Sequence, residues 1–510
     1  MTTHPSTPGP LHHPTPEQHA AAEAFRAGSP LVIQAGAGTG KTTTLAMLAH
    51  AARRQGRLGW YIAFNRAVAR HAARAFPTQV ACTTAHALAY TSVSRKYRAR
   101  LKAPRRAGWR TGATLGIDDG ISVRIGARKV NHKALSHTVL RTVTRFCQSA
   151  DREIAAHHVP PLRGAESEPL RAHLADLCLP YARKAWADLH HPDHGAVRFE
   201  HDHYLKMWAL NEPVIPTDFL LLDEAQDTNP VVEQVFTAQR DHAQLVLVGD
   251  SAQAIYGWRG ARDVMTGFDG RQLTLSRSFR FGPALAAEAN RWLTIVGAPI
   301  RLTGSPHLET ELRPIRDPEA ILCRTNVGAM VEVIRQLAAH RRVALGGGQE
   351  LSALAHAAHN LEAGRRTGHP ELMLFETWPE LREYAECDPA GRDLLPLVEL
   401  IDEHGTEAVL RAVDRLSPQD SAEVTVSTAH RAKGREWASV RIADDFTGLD
   451  DLDERDEDGA PLPGPIDPDE ARLAYVAVTR ARSLLDIGGL SWINSHPAGD
   501  PRLPESRPQT

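Results

Sequence analysis

Short apolar runs, each bounded by glycine, charge or small hydroxyl residues, recur along the chain and read as buried parallel strands. The first is Leu31-Val32-Ile33. A glycine-rich turn at 35–40 follows it, and KTTTLAMLAHAAR then carries a helical pattern. Residues 60–64 predict a second strand before a basic helix, and ACTTAHALAY (81–90) marks the end of a third. From 91 to 216 the alternation gives way to helical segments, basic stretches and loops, so a mostly helical insertion is expected there. The pattern returns with the wholly apolar 219–222 and again at 244–250. A further series at 272–276, 320–325, 424–428, 439–444 and 484–490 implies a second parallel sheet. A smaller helical, polar segment interrupts that series at 346–422.

The expected class is therefore α/β, with two parallel-sheet cores that each carry a mostly helical insertion, the second one reduced. The first core is expected from 16–90 and 217–275, with its insertion at 91–216. The second is expected from 276–345 and 423–493, with its insertion at 346–422 and tails at 1–15 and 494–510.

Composition narrows this only slightly. At 510 residues the chain is too long for one hydrophobic core. Apolar residues make up 42% and the mean hydropathy is -0.33, values of a soluble globular chain. No apolar run approaches a membrane span, and the proline-rich start lacks the apolar centre of a signal peptide. The five cysteines are scattered and form no CxxC pair, which fits a reducing cytoplasm and argues against a structural zinc or iron–sulfur site. A net charge of -2 neither demands nor excludes nucleic acid. Its distribution says more: 95–110 is basic without an acid, suited to phosphates or to a solvated loop, and 450–458 is strongly acidic. The histidine-rich stretch 189–204 lacks cysteine partners and a clean i, i+4 pair, so a metal site is not expected there.

The chemistry concentrates at strand ends. The first strand, its turn and its helix have the order of a phosphate-binding loop. Gly36, Gly38 and Gly40 let backbone N–H groups converge, and the helix start adds positive dipole. Lys41 is placed to reach the β- and γ-phosphates, and Thr42 to hold Mg²⁺. Ala35 stands where the usual pattern begins with glycine. The strand at 219–222 ends in Asp223-Glu224, one carboxylate for Mg²⁺ and one to polarise an attacking water. After the next strand come Gln253, a candidate γ-phosphate sensor, then Tyr256, Trp258 and Arg259, with Trp258 suited to stack on a base. Phe64 lies at the ligand edge of its sheet, where an aromatic ring can stack on a base, and Thr83 and His86 share that edge. Gln18 offers an amide that can pair with both edges of an adenine. The second sheet has no phosphate loop of its own, so Arg280 and Arg480 are candidates to reach across a cleft as arginine fingers do.

Eight stretches stand in order between Gln18 and Arg482: AGAGTGKT, AFNRAVA, CTTAHALAY, LLDEAQD, VGDSAQAIYGWRGA, LSRSFR, TAHRAKGREW and YVAVTRAR. In that order they resemble the superfamily 1 helicases of UvrD/Rep type. FNRAVARHAARAFP, CTTAHALAY and HDHYLKMWAL are most similar to the helicase core of the F-box DNA helicases. Only a short tail precedes Gln18, so neither an F-box nor a ubiquitin-ligase role is expected. The resemblance implies two RecA-like cores with ATP and Mg²⁺ between them. Single-stranded DNA, or duplex with a 3′ single-stranded tail, would cross their tops in a 3′→5′ motor of DNA repair or recombination. It implies that Ala35, Gly36, Ala37, Gly38, Thr39, Gly40, Lys41, Thr42 and Thr43 cradle the phosphates, with Thr42 and Asp223 at Mg²⁺. Gln18 would contact adenine, Phe279 stack near it, and Glu436 lie near the ribose. Glu224 would activate water, and Gln253, Arg280 and Arg480 would sense the γ-phosphate. Phe64, Thr83, His86, Tyr256, Trp258, Arg259 and His430 would lie along the DNA strand. Arg435 and Trp437 depart from the family's usual Leu and Phe. The second insertion is far smaller than in full-length UvrD/Rep enzymes, where it regulates unwinding. Two alternatives stand beside the helicase: a translocase that strips recombination proteins with little unwinding, and a nucleotide-gated DNA-binding protein with low turnover.

Overall fold

The computed structural model describes residues 13–103, 108–125, 128–161, 167–257, 261–346, 348–369, 372, 375–387, 394–446, 451–455 and 461–499. Two six-stranded parallel sheets organise the chain, as expected. Across the first, the order is Val80–Thr83, Gly59–Ile62, Phe219–Leu222, Gln244–Gly249, Leu31–Ala35 and Arg271–Leu275. Across the second it is Val343–Leu345, Val424–Thr428, Ala320–Cys323, Trp437–Ile442, Ala481–Asp486 and Glu311–Leu312. The run at 272–276, grouped by pattern with the second series, is instead the edge strand of the first sheet, with Leu31 opposite Arg271 and Ala35 opposite Leu275. Apolar patterning marks a strand but does not say which sheet it joins.

Strand burial explains why the site is held rigidly. Phe219, Leu220, Leu221 and Leu222 are all buried, and each contributes roughly 1.5–3 kcal/mol by leaving water. That fixes the strand end from which Asp223 projects. The first insertion contains the helices His132–Gln148, Glu168–Leu189 and His201–Leu210 around Phe146, Cys147 and Tyr204. It also holds a small antiparallel hairpin, Ser122–Ile125 with Arg128–Asn131, that its polar sequence did not announce. Within the basic stretch Arg100 is buried, donating to the carbonyls of Asp188, His191 and Val197 and paired with Asp188. It braces the insertion and is not presented to phosphates. The second insertion contains the helices Gly348–Glu362, Trp378–Cys387, Leu395–His404 and Thr406–Asp414, packed on one face of the second sheet. The two cores share an apolar joint in which Ala37, Ala252 and Ile255 of the first meet the cluster around Phe281, Trp292 and Tyr475 of the second. Among the described residues no helix is long and apolar enough to cross a membrane. Residues 1–12, 500–510, and 450 and 456–458 of the acidic run lie outside the described residues.

Candidate functional site

The strand Leu31–Ala35 lies between Gln244–Gly249 and the edge strand Arg271–Leu275, so the loop leaving it stands at the sheet's ligand edge, one strand in from the side. Gly38 and Gly40 adopt φ of 74° and 81°, conformations that glycine reaches without strain. The helix Lys41–Arg54 starts at Gly40 with no side-chain cap, leaving its first N–H groups to serve an anion. Ala35, despite replacing the usual glycine, is the buried last residue of the strand and needs no unusual backbone. Gly36 packs against Leu302, where a Cβ would come within 2.3 Å of Leu302 Cδ2, and Thr39 Oγ1 donates to Gly36 O at 2.9 Å. Lys41 Nζ lies 3.4 Å from the carbonyl oxygen of Ala35.

Asp223 and Glu224 are consecutive, yet both serve one space because Glu224 takes a left-handed φ of 53°. Asp223 Oδ2 accepts the Tyr61 hydroxyl at 2.5 Å and the Thr42 hydroxyl at 3.4 Å, while Oδ1 accepts the Glu224 N–H at 3.0 Å. Burial and the neighbouring Glu224 charge push the Asp223 carboxyl up. Burial also opposes ionisation of Glu224, but Lys41 and Lys433, with a hydrogen bond from Gln226, outweigh it and hold that carboxyl down. Glu224 is therefore the more readily ionised of the two and has an oxygen able to accept a proton, and the Thr42 and Asp223 oxygens form the hard donor set that suits Mg²⁺.

The second core closes the other side. Arg480 is 2% exposed; its Nη2 lies 3.4 Å from Gln253 Oε1 and its Nε donates to Val476 O. Burial, then repulsion from Arg280, disfavours the Arg480 charge, a strain that an arriving anion would relieve. Arg280 pairs through Nε with Glu436 Oε2 at 2.7 Å and donates to Thr479 O at 2.9 Å. Phe279 N donates to Gly38 O at 2.9 Å, bringing the ring beside Gly40. Together these residues line a cavity of about 520 Å³ with Ala37, Gly38, Thr39, Gly40, Lys41, Thr42, Thr43, Asp223 and Glu224. Gln18 lies behind Gly40, its amide occupied in capping the helix Pro16–Arg26 and in donating to Thr44 Oγ1 at 3.0 Å.

Phe64 and Tyr256 line the same cavity. Phe64 is 57% exposed, and the two rings are parallel within 8° with centroids 6.4 Å apart. The Tyr256 hydroxyl donates to the His430 carbonyl at 2.9 Å, which ties this pair to the second core. Thr83 ends its strand half-buried, and His86 is paired with Asp202 at 3.0 Å. Trp258 and Arg259 lie outside the described residues. Arg435 stacks over Trp437 at 4.7 Å, so the two departures from the family pattern pack on each other beside Arg480, whose Nη1 lies 3.4 Å from the Arg435 carbonyl.

Residues 18–259 match the family described as AAA domain. The chain is 29% identical to F-box DNA helicase protein 1 of Schizosaccharomyces pombe over 90% of its length and 55% of that protein's. It is 27% identical to F-box DNA helicase 1 of Gallus gallus, over 90% of this chain and 47% of the relative. The chain is similar to the UvrD and F-box DNA helicases. ATP-dependent DNA helicase UvrD2 of Mycobacterium tuberculosis is 26% identical over 55% of the chain and 48% of its own length. The chain thus spans about half the length of the curated relatives it matches.

Several residues of this cleft were not singled out by sequence. Lys433 pairs with Asp227 Oδ2 at 2.5 Å and also bonds the Gln253 carbonyl, joining the cores. Tyr61, Asp250 and Tyr475 bond other cleft groups from within. Lys433 and Tyr475 sit inside TAHRAKGREW and YVAVTRAR, so their motifs were visible although their partners were not. The one described group of three side chains with metal-ligand spacing, Asp151, His157 and His158, is a poor metal site. His158 Nδ1 accepts the Ala155 N–H at 2.9 Å, so Nε2 keeps the ring proton and faces Asp151 with it.

Proposed function

We propose that the chain is an ATP- and Mg²⁺-dependent DNA helicase or translocase that moves 3′→5′ on single-stranded DNA in repair or recombination. One observation carries the reading: Gln253 and Arg480, from different cores, meet over a phosphate loop beside Glu224. In this reading Gly38, Gly40 and Lys41 hold the phosphates, Phe279 stacks near the adenine and Gln18 lies close to it. Thr42 and Asp223 would hold Mg²⁺, which would supply positive charge toward the phosphates. Glu224 takes the proton of the attacking water. Arg280, held meanwhile by Glu436, and Arg480 meet the γ-phosphate charge, so ATP draws the cores together and hydrolysis lets them part. Phe64 and Tyr256 offer parallel ring faces for a base; two stacking contacts of ~3.5 Å each exceed the 6.4 Å between their centroids, so a base entering between them would part the rings slightly. Thr83, His86 and His430 continue the strand path, with Trp258 and Arg259.

The test is the ATPase rate with and without single-stranded DNA, using Lys41→Ala as control. Strong stimulation that the variant loses is expected; DNA binding without stimulated turnover would instead establish a gated binder. The reduced insertion at 346–422 favours a second reading on the same fold, a translocase that displaces bound proteins. Opening of a naked 3′-tailed duplex over many base pairs would exclude it.

A further inference from the structure

The helix Pro468–Val478 belongs to the second core, yet the buried Tyr475 ends inside the first. Its hydroxyl accepts the N–H of Ala37, in the phosphate loop, at 3.1 Å and donates to Asp250 Oδ2 at 2.9 Å. The same carboxylate oxygen accepts Gln253 Nε2 at 2.6 Å. Because Gln253 gives its NH₂ group to Asp250, its carbonyl oxygen is the end that faces Arg480 Nη2, 3.4 Å away. Arg480 lies just beyond Thr479, the C-cap of the helix that carries Tyr475. The bonds thus leave the second core at Tyr475, pass through the seat of the phosphate loop and Gln253, and return to the second core at Arg480.

A phenol suits this place. The backbone amide can only donate and an ionised Asp250 can only accept, so the hydroxyl between them has one orientation that satisfies both. Of the other polar ties between the cores, the one from Lys433 reaches Gln253 only at its backbone carbonyl and does not set the direction of the side-chain amide. Phenylalanine would keep the ring volume while leaving the Ala37 N–H and one Asp250 lone pair without this partner.

We propose that Tyr475 is a positioning residue that ties the seat of the phosphate loop to the Gln253–Arg480 pair, so that nucleotide occupancy and the grip on DNA form one equilibrium. The proposal rests on the motor reading above. Its test is the affinity of the full chain for fluorescein-labelled oligo(dT), with and without a non-hydrolysable ATP analogue and Mg²⁺. The wild-type chain shifts its DNA affinity on binding the analogue. Tyr475→Phe keeps the nucleotide-free DNA affinity within about twofold and shrinks the shift about fivefold or more. By reciprocity the effect of DNA on analogue affinity shrinks by the same factor. A folded Tyr475→Phe chain with the wild-type shift would overturn the proposal. Should that variant fail to fold, Asp250→Ala removes the shared acceptor of both bonds and is read in the same way. A wild-type chain with no shift at all would remove the motor reading itself.

Discussion

Glu224 is set apart by its backbone before its chemistry: a left-handed φ on a non-glycine residue costs about 1–2 kcal/mol and turns the second of two adjacent carboxylates into the cleft. Glu224→Gln keeps the shape and removes the base. ATP turnover should fall 10²- to 10⁴-fold, roughly the span of general-base catalysis, while oligonucleotide affinity stays near wild type. Turnover within tenfold of wild type would move the base elsewhere. His203, in the first insertion, offers a pH test. Burial pushes it down to about 4, against roughly 6.5 unfolded, so the stability it permits is whole above pH 6.5 and is lost as pH falls toward 4. From pH 7.5 to 5.0 the loss from this group is about 2 kcal/mol. His203→Gln keeps a side chain able to accept the Glu200 N–H, so urea unfolding of that variant should lose about that much less across the interval. At this scale Lys41, Thr42, Asp223 and Glu224 were legible because their types and spacing carry the chemistry. Tyr475, Tyr61 and Lys433 were not, because a hydroxyl or ammonium in a known motif does not disclose which distant group it meets.

Among the elements, the phosphate loop is the most tightly specified. A Cβ at Gly38 would come within 2.6 Å of Arg280 Cβ and of Ser278 Oγ, at a φ of 74° that alanine resists. Gly38→Ala should weaken ATP binding by tenfold or more and leave nucleotide-free DNA binding near wild type. Equilibrium titration with a fluorescent ATP analogue measures this, and unchanged nucleotide affinity would show that the second core yields readily. The strand 219–222 was read with its observed bounds because four apolar residues lie between polar ones. Val343–Leu345 and Glu311–Leu312 were missed because two or three residues, in the latter case exposed ones, carry no periodicity. The edge strand Arg271–Leu275 was visible as a strand, but its partner Leu31–Ala35 lies far upstream, and local pattern is blind to such pairing.

Across the whole molecule, Lys433 is the charged tie between cores. Lys433→Met removes its pair with Asp227, a carboxyl that burial already pushes up to about 6 despite that lysine. Breaking a buried pair on one side costs on the order of 3–5 kcal/mol, so the cores should separate more often. Small-angle scattering without nucleotide should show a larger radius of gyration, and an unchanged radius would assign the docking to the apolar joint alone. The order of strands also governs how the molecule is made. Leu31–Ala35 emerges early from the ribosome, but both of its neighbours, Gln244–Gly249 and Arg271–Leu275, lie more than two hundred residues later. Such distant pairing closes slowly. The first insertion shares one apolar cluster with Val32, Leu220 and Leu245 of that sheet, so its packing also waits for the later strands. A nascent chain released before Leu275 therefore carries every glycine of its phosphate loop and no finished place to hold a phosphate.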